Sequence, residues 1–187
     1  MTAPEPLPLP GFVTWPIFPF VGDMRVREVL PRRDFEYPRN GEPGGAPCDS
    51  CTAPDRNFIW VDDFWRVRPA SEPSGAPVQV FLETRDHVDL ADLDDDGAAE
   101  MGRMIVRLER AILAVDGIAR VHVNRWGDGG SHFHLWFYGR PFGDPQMFGF
   151  TMPLWAMTLP PTPDDEWNHN LDVIAAELAT GRGQAMR

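Results

Sequence analysis

The sequence contains only two cysteines, no apolar run near the roughly 18 residues that a membrane-crossing helix needs, and too few cations to balance its acids. With 17 basic against 28 acidic residues and a net charge of -11, it lacks the broad positive field that nucleic acid or an anionic membrane surface demands. Neither is expected as a partner, whereas a small phosphate ligand needs only a local cluster of cations. The N-terminus is studded with proline and lacks the basic-then-apolar layout of a signal peptide, so a cytoplasmic protein is expected. Two cysteines cannot build a disulfide framework. Spaced as Cys48-x-x-Cys51, they read as half of a metal site or as a redox pair. There is no internal repeat, and 187 residues suffice for one buried domain with appendages.

What the sequence does have is concentrated in residues 131–140, Ser-His-Phe-His-Leu-Trp-Phe-Tyr-Gly-Arg. At strand period, Phe133, Leu135 and Phe137 share one face, and His132, His134 and Trp136 share the other. The first set suits a core and the second a site. Two imidazoles on one face offer metal ligands, or a nucleophile with a helper. The preceding stretch, 124–131, runs Asn-Arg-Trp-Gly-Asp-Gly-Gly-Ser, a turn whose glycines let backbone N–H groups approach an anion.

Residues 1–47 hold ten of the twenty prolines and form an extended arm, too rich in Phe and Trp for a free tail. Packing along its own domain or reaching a partner subunit are both open to it. The alternating stretch 57–68 reads as a strand and 78–82 as a second. The acidic run 92–96 suits the positive end of a helix, whose stripe is Met101, Met104, Ile105, Leu108, Ile112 and Val115, closed by Gly117. A strand over 118–123 forms a hairpin with the His-x-His strand. After an irregular stretch, a last helix is expected from about Asp164 to Thr180, with the stripe Trp167, Leu171, Ile174 and Leu178.

The order of these parts resembles the histidine-triad superfamily, which includes nucleotidyl hydrolases and, more distantly, galactose-1-phosphate uridylyltransferase. The resemblance runs over about 48–141: Cys-x-x-Cys, two strands, His87-Val, Leu-Ala-Asp-Leu leading into a long helix, a strand, Asn124 with its Gly-rich turn, His132-Phe-His134-Leu-Trp136 and Gly139-Arg140. It implies an α+β fold with an antiparallel sheet and a packed helix. The divisions are then an arm over 1–47, a core domain over 48–141 and a C-terminal helical extension over 142–187. It further implies a structural zinc ion on Cys48, Cys51, His87 and His132, and a homodimer. His134 becomes the nucleophile that takes up a nucleotidyl group from a nucleoside phosphate ester. Asn124, Ser131, Arg125 and Arg140 are the candidate phosphate-binding residues. The third triad position holds Trp136, where relatives place His or Gln; an indole donates a hydrogen bond but shuttles no proton. The Asp that holds ribose in many relatives has no counterpart, leaving Arg68 or Glu72 in its place. The alternative implied function is a catalytically inactive zinc-containing module that binds a nucleotide or a protein, with Trp136 stacking on a base or filling the pocket.

Overall fold

The computed structural model describes residues 7–187; residues 1–6 of the arm lie outside it. Its centre is a six-stranded sheet of β1 (Trp60–Val61), β2 (Trp65–Pro69), β3 (Val78–Thr84), β4 (Ile118–Asn124), β5 (His134–Pro141) and β6 (Gln184–Ala185). The strands lie in the order β4-β5-β3-β2-β1-β6, every neighbouring pair antiparallel. Among the described residues four α-helices accompany it: α1 (Asp49–Thr52), α2 (Asp95–Leu113), α3 (Met152–Thr158) and α4 (Asp164–Ala179). The class is α+β, with the long helix packed on an antiparallel sheet, as expected. Among the described residues, no helix is long and apolar enough to cross a membrane.

One face of the sheet is the core. Val67, Val78, Val80, Leu82, Leu135 and Phe137 meet Met104, Leu108 and Ile112 of α2 and Trp167, Leu171, Ile174 and Leu178 of α4. Truncating a fully buried member such as Leu108 to Ala costs about 2–5 kcal/mol, because the lost transfer energy adds to a cavity. The helix begins as its acids require, with the Asp94 side chain accepting from the Gly97 N–H.

Register places the other face in two rows. Arg66, Glu83 and His134 are cross-strand neighbours, and so are Arg68, Phe81, Trp136 and Asn124. Beyond them Tyr138 is covered by Met147, Met152 and Ala156.

Three elements differ from the sequence reading. The single strand expected over 57–68 is broken into β1 and β2, because Asp62 Oδ1 accepts from the N–H groups of Phe64 and Trp65 and turns the chain. The irregular stretch after Pro141 contains α3, which tolerates Pro153 because the first helical turn needs no N–H there. Near the C-terminus, β6 adds a short edge to β1. The arm packs on its own chain: Trp155 Nε1 donates to the Ile17 carbonyl at 2.7 Å, and the Phe12 ring meets Phe150 edge-on at 5.3 Å.

Candidate metal centre and nucleophile

Cys48 caps α1 and Cys51 lies within it, so one helical turn puts both sulfurs on the same side. His87 follows the end of β3, and His132 lies two residues before β5. One potential ligand atom from each of the four residues falls within 4.8 Å of the others. Sulfur-to-Nδ1 separations are 3.4 Å for Cys48 to His132, 3.5 Å for Cys51 to His132 and 3.1 Å for Cys51 to His87. A tetrahedral zinc centre, with Zn–S about 2.3 Å and Zn–N about 2.0 Å, sets such atoms about 3.5 Å apart. The set therefore fits zinc in size as well as in donor type.

The surrounding bonds fix the imidazoles for that task. His132 Nε2 lies 2.8 Å from the Thr84 carbonyl, which only an N–H satisfies, leaving Nδ1 unprotonated toward the sulfurs. Burial pushes the His132 pKa below its ordinary value and favours the neutral ligand form. His87 directs Nε2 at Ser131 Oγ, 3.2 Å away, and that hydroxyl also lies 3.1 Å from the Asn40 carbonyl. Desolvation and the Cys48 thiol push Cys51 up to about 11, so a cation is what turns it into a thiolate near neutral pH. The two cysteines are not disulfide-bonded. Beneath the knuckle, buried Arg66 donates to the Ser50 carbonyl at 2.9 Å and reaches the Thr84 carbonyl, joining the cysteine turn to the support of His132.

His134 lies beside this centre but outside it. Its Nδ1 is 2.8 Å from the His132 carbonyl, and its Nε2 is 3.1 Å from the Trp126 carbonyl. Before the ring opens a cavity of about 230 Å³, lined by Asn40, Asp49, Arg68, Glu83, Gly130 and Trp136 among others. Arg68 holds Glu83 through two nitrogens, at 2.9 and 3.1 Å, and also reaches Ser50 Oγ. Trp136 is wedged between Phe81 at 4.5 Å edge-on, Tyr138 stacked at 6.1 Å and Trp126 edge-on at 5.3 Å. Its buried indole N–H has no partner among the described residues.

The remaining sequence-named residues are dispersed. Arg125 is paired with Asp89 rather than turned to the cavity. Arg140 donates to the Asp144 carbonyl and lies over Phe148. Ser131 is buried against His87 and Asn40, and Asn124 stands across from Trp136 at the end of β4. Of the two ribose substitutes, Arg68 lines the cavity.

Several participants were not legible in the sequence. Arg39 donates to Asp89 at 2.7 Å and to the Gly127 carbonyl at 3.0 Å. Asn40 pairs through its backbone with the turn at Gly129 and Ser131. Burial opposes it, but the Leu90 N–H with Arg39 and Arg125 holds the Asp89 carboxyl below its usual range. The only sequence signal for this contact was the Gly-rich end of the arm.

No protein-family model matches the sequence, and comparison with curated proteins finds no match. Solved structures do match. A histidine triad protein from Bradyrhizobium japonicum aligns over 65% of this chain and 89% of its own, with 18% identity and a TM-score of 0.53. One from Marinobacter aquaeolei VT8 aligns over 66% and 88%, with 17% identity and a TM-score of 0.52. One from Sinorhizobium meliloti 1021 aligns over 67% and 88%, with 16% identity and a TM-score of 0.50. The chain thus has the fold of the histidine-triad proteins, carrying a Cys2His2 group able to bind zinc and, on β5, His134 and Trp136 on one face.

Proposed function

We propose that the protein is a nucleotidyl hydrolase or transferase of the histidine-triad type, acting on a nucleoside phosphate ester through a covalent nucleotidyl-His134 intermediate. The observation that carries this reading is the orientation of His134. The His132 carbonyl 2.8 Å from Nδ1 is matched by a proton there, which leaves the lone pair on Nε2, the nitrogen that lies 3.1 Å from the Trp126 carbonyl on a ring lining the cavity. Zinc, when bound by Cys48, Cys51, His87 and His132, supplies rigidity only, since four protein ligands close its coordination. What the chain contributes through that centre is a fixed His132 carbonyl and hence a fixed His134 ring.

In the first step the Nε2 lone pair attacks the α-phosphorus, and the bond from phosphorus to the leaving group breaks with the electron pair going to the leaving group. Water or an acceptor hydroxyl then forms the new P–O bond, loses its proton to solvent, and the P–N bond breaks to return neutral His134. Trp136 supplies no proton to the departing group. The substrates favoured are therefore those whose leaving group is stable unprotonated, phosphoanhydrides and nucleotide sugars, over phosphoramidates that expel an amine. Arg68 supports the ligand's ribose side, and the Phe81 and Trp136 rings form an apolar wall beside it. A homodimer is part of this proposal, since one edge of β4 has no partner strand among the described residues.

The test is release of nucleoside monophosphate from dinucleoside polyphosphates, nucleotide sugars and phosphoramidates, with His134→Ala alongside. Turnover of the first two classes that disappears in the variant is expected. Turnover equal in the variant overturns the assignment of the nucleophile. The unpartnered indole of Trp136 supports a second reading, a zinc-held module that binds nucleotide without cleaving it. Binding at equilibrium with no monophosphate released would identify it.

A further inference from the structure

The N-terminal arm does not end before the site; it forms part of it. Arg39 is itself held, Nε donating to Glu42 at 2.8 Å, while Nη1 reaches Asp89 at 2.7 Å and the Gly127 carbonyl at 3.0 Å. One residue on, the Asn40 N–H donates to the Gly129 carbonyl at 3.0 Å, and the Asn40 carbonyl accepts from the Ser131 N–H at 3.0 Å. Asn40 and Gly130 thus form a parallel bridge. From the far side Asp89 also takes Arg125. The turn between β4 and β5 is consequently bonded to the arm at 127, 129 and 131, and tied to Asp89 at 125.

The outcome of this bonding is the position of one carbonyl. Trp126 O lies 3.1 Å from Nε2 of His134, and the Trp126 ring rests edge-on against Trp136. A neutral imidazole has a single N–H, and Nδ1 already faces the His132 carbonyl. Two acceptors cannot both be satisfied, so the Nε2 lone pair meets carbonyl lone pairs and nothing within that contact holds it closed. The bonds along the arm do. The space before the ring is about 230 Å³ and opens to solvent, so what stands between a phosphate ester and Nε2 is the Trp126 carbonyl itself.

We propose that Arg39 and Asn40 are positioning residues of the site: they hold the 125–131 turn so that the Trp126 carbonyl covers Nε2 of His134, and a phosphate ester reaches that nitrogen only when the turn lifts. This rests on the reading of His134 as nucleophile for its catalytic consequence, but the covering itself is measurable without turnover.

The probe is diethyl pyrocarbonate, which acylates unprotonated imidazole nitrogen, with adducts located by peptide mass spectrometry on the full chain. Exposed His169 serves as the internal reference. In the unaltered protein His134 is expected to react at least about tenfold more slowly than His169, taking tenfold as about 1.4 kcal/mol of opening cost. Arg39→Ala and Asn40→Pro remove different bonds to the turn, and each should raise the His134 rate several-fold without changing that of His169. Arg39→Lys keeps the charge but not the fork, and should fall between. A His134 rate equal to that of His169 in the unaltered protein overturns the proposal. So does either Arg39→Ala or Asn40→Pro that keeps its circular dichroism yet leaves His134 as slow as before. If the rates change as expected while no substrate is turned over, the positioning role stands and the enzyme reading falls.

Discussion

Gly41 packs against the ring of His87 more closely than a residue with a side chain could: a Cβ on Gly41 would lie 2.5 Å from Cε1 of the His87 ring, and 2.9 Å from Ser131 Oγ. The glycine also sits at φ +93°, where a side chain is strained in its own right. Gly41→Ala should therefore displace His87. The expected result is zinc content well below one per chain, measured by atomic emission, together with a lower Tm.

Arg66 joins the cysteine turn to the carbonyl that supports His132, by hydrogen bonds to Ser50 and Thr84. Arg66→Met keeps much of the bulk and removes the bond to the Ser50 carbonyl, at a cost of about 1 kcal/mol, while His132 still donates to the Thr84 carbonyl. Zinc should leave the variant faster under a chelator than it leaves the unaltered protein. Equal release rates would show that the knuckle does not depend on this side chain.

Metal removal itself should loosen more than the four ligands. His87 bonds to Ser131, and Ser131 bonds to Asn40, so the centre is continuous with the arm. Chelation is expected to lower Tm by several degrees and to increase proteolysis within 39–51, and re-addition of zinc should reverse both. A chelated sample with the original Tm and digestion pattern would contradict this.

Burial and the nearby Arg140 hold His122 below its ordinary pKa. The unfolded chain then takes up a proton first as pH falls, so stability is present above about pH 6.5 and is lost below it. His132 shifts the same way. Thermal scans should show Tm falling between pH 7 and pH 5, with a shallower fall in His122→Gln. A Tm that rises on acidification would reverse the sign.

Replacing the indole at the third triad position should change which leaving groups are tolerated. Trp136→His introduces a group that can donate a proton, at a packing cost on the order of 2 kcal/mol from the lost contacts with Phe81, Tyr138 and Trp126. Turnover of phosphoramidates is expected to rise relative to that of phosphoanhydrides. An unchanged ratio would mean that leaving-group protonation is not limiting.

The parts of this molecule that were legible in its sequence are those set by local periodicity. The stripes of α2 and α4 follow from apolar residues at three and four, and all of Met104, Leu108, Ile112, Trp167, Leu171, Ile174 and Leu178 are buried. Alternation likewise assigned Phe133, Leu135 and Phe137 to the core, opposite His134 and Trp136. Alternation failed at Asp62, where a side chain bonded to two backbone N–H groups overrides the pattern on either side. It also gave no notice of α3, hidden among prolines whose position at a helix start is permitted. The site divides the same way. Ligand types and order brought the four metal-binding candidates together, whereas Arg39 and Asn40 act through bonds to backbone groups about 90 positions away, for which local sequence carries no signal.

The most direct test of the account is to trap the intermediate. The zinc-loaded protein is mixed with a dinucleoside polyphosphate for less than one turnover, quenched at alkaline pH where a phosphoramidate survives, digested and analysed by mass spectrometry. The account predicts a nucleoside monophosphate adduct on the peptide that contains His134, absent from His134→Ala. Turnover without an adduct at His134, or an adduct that persists in His134→Ala, would contradict it.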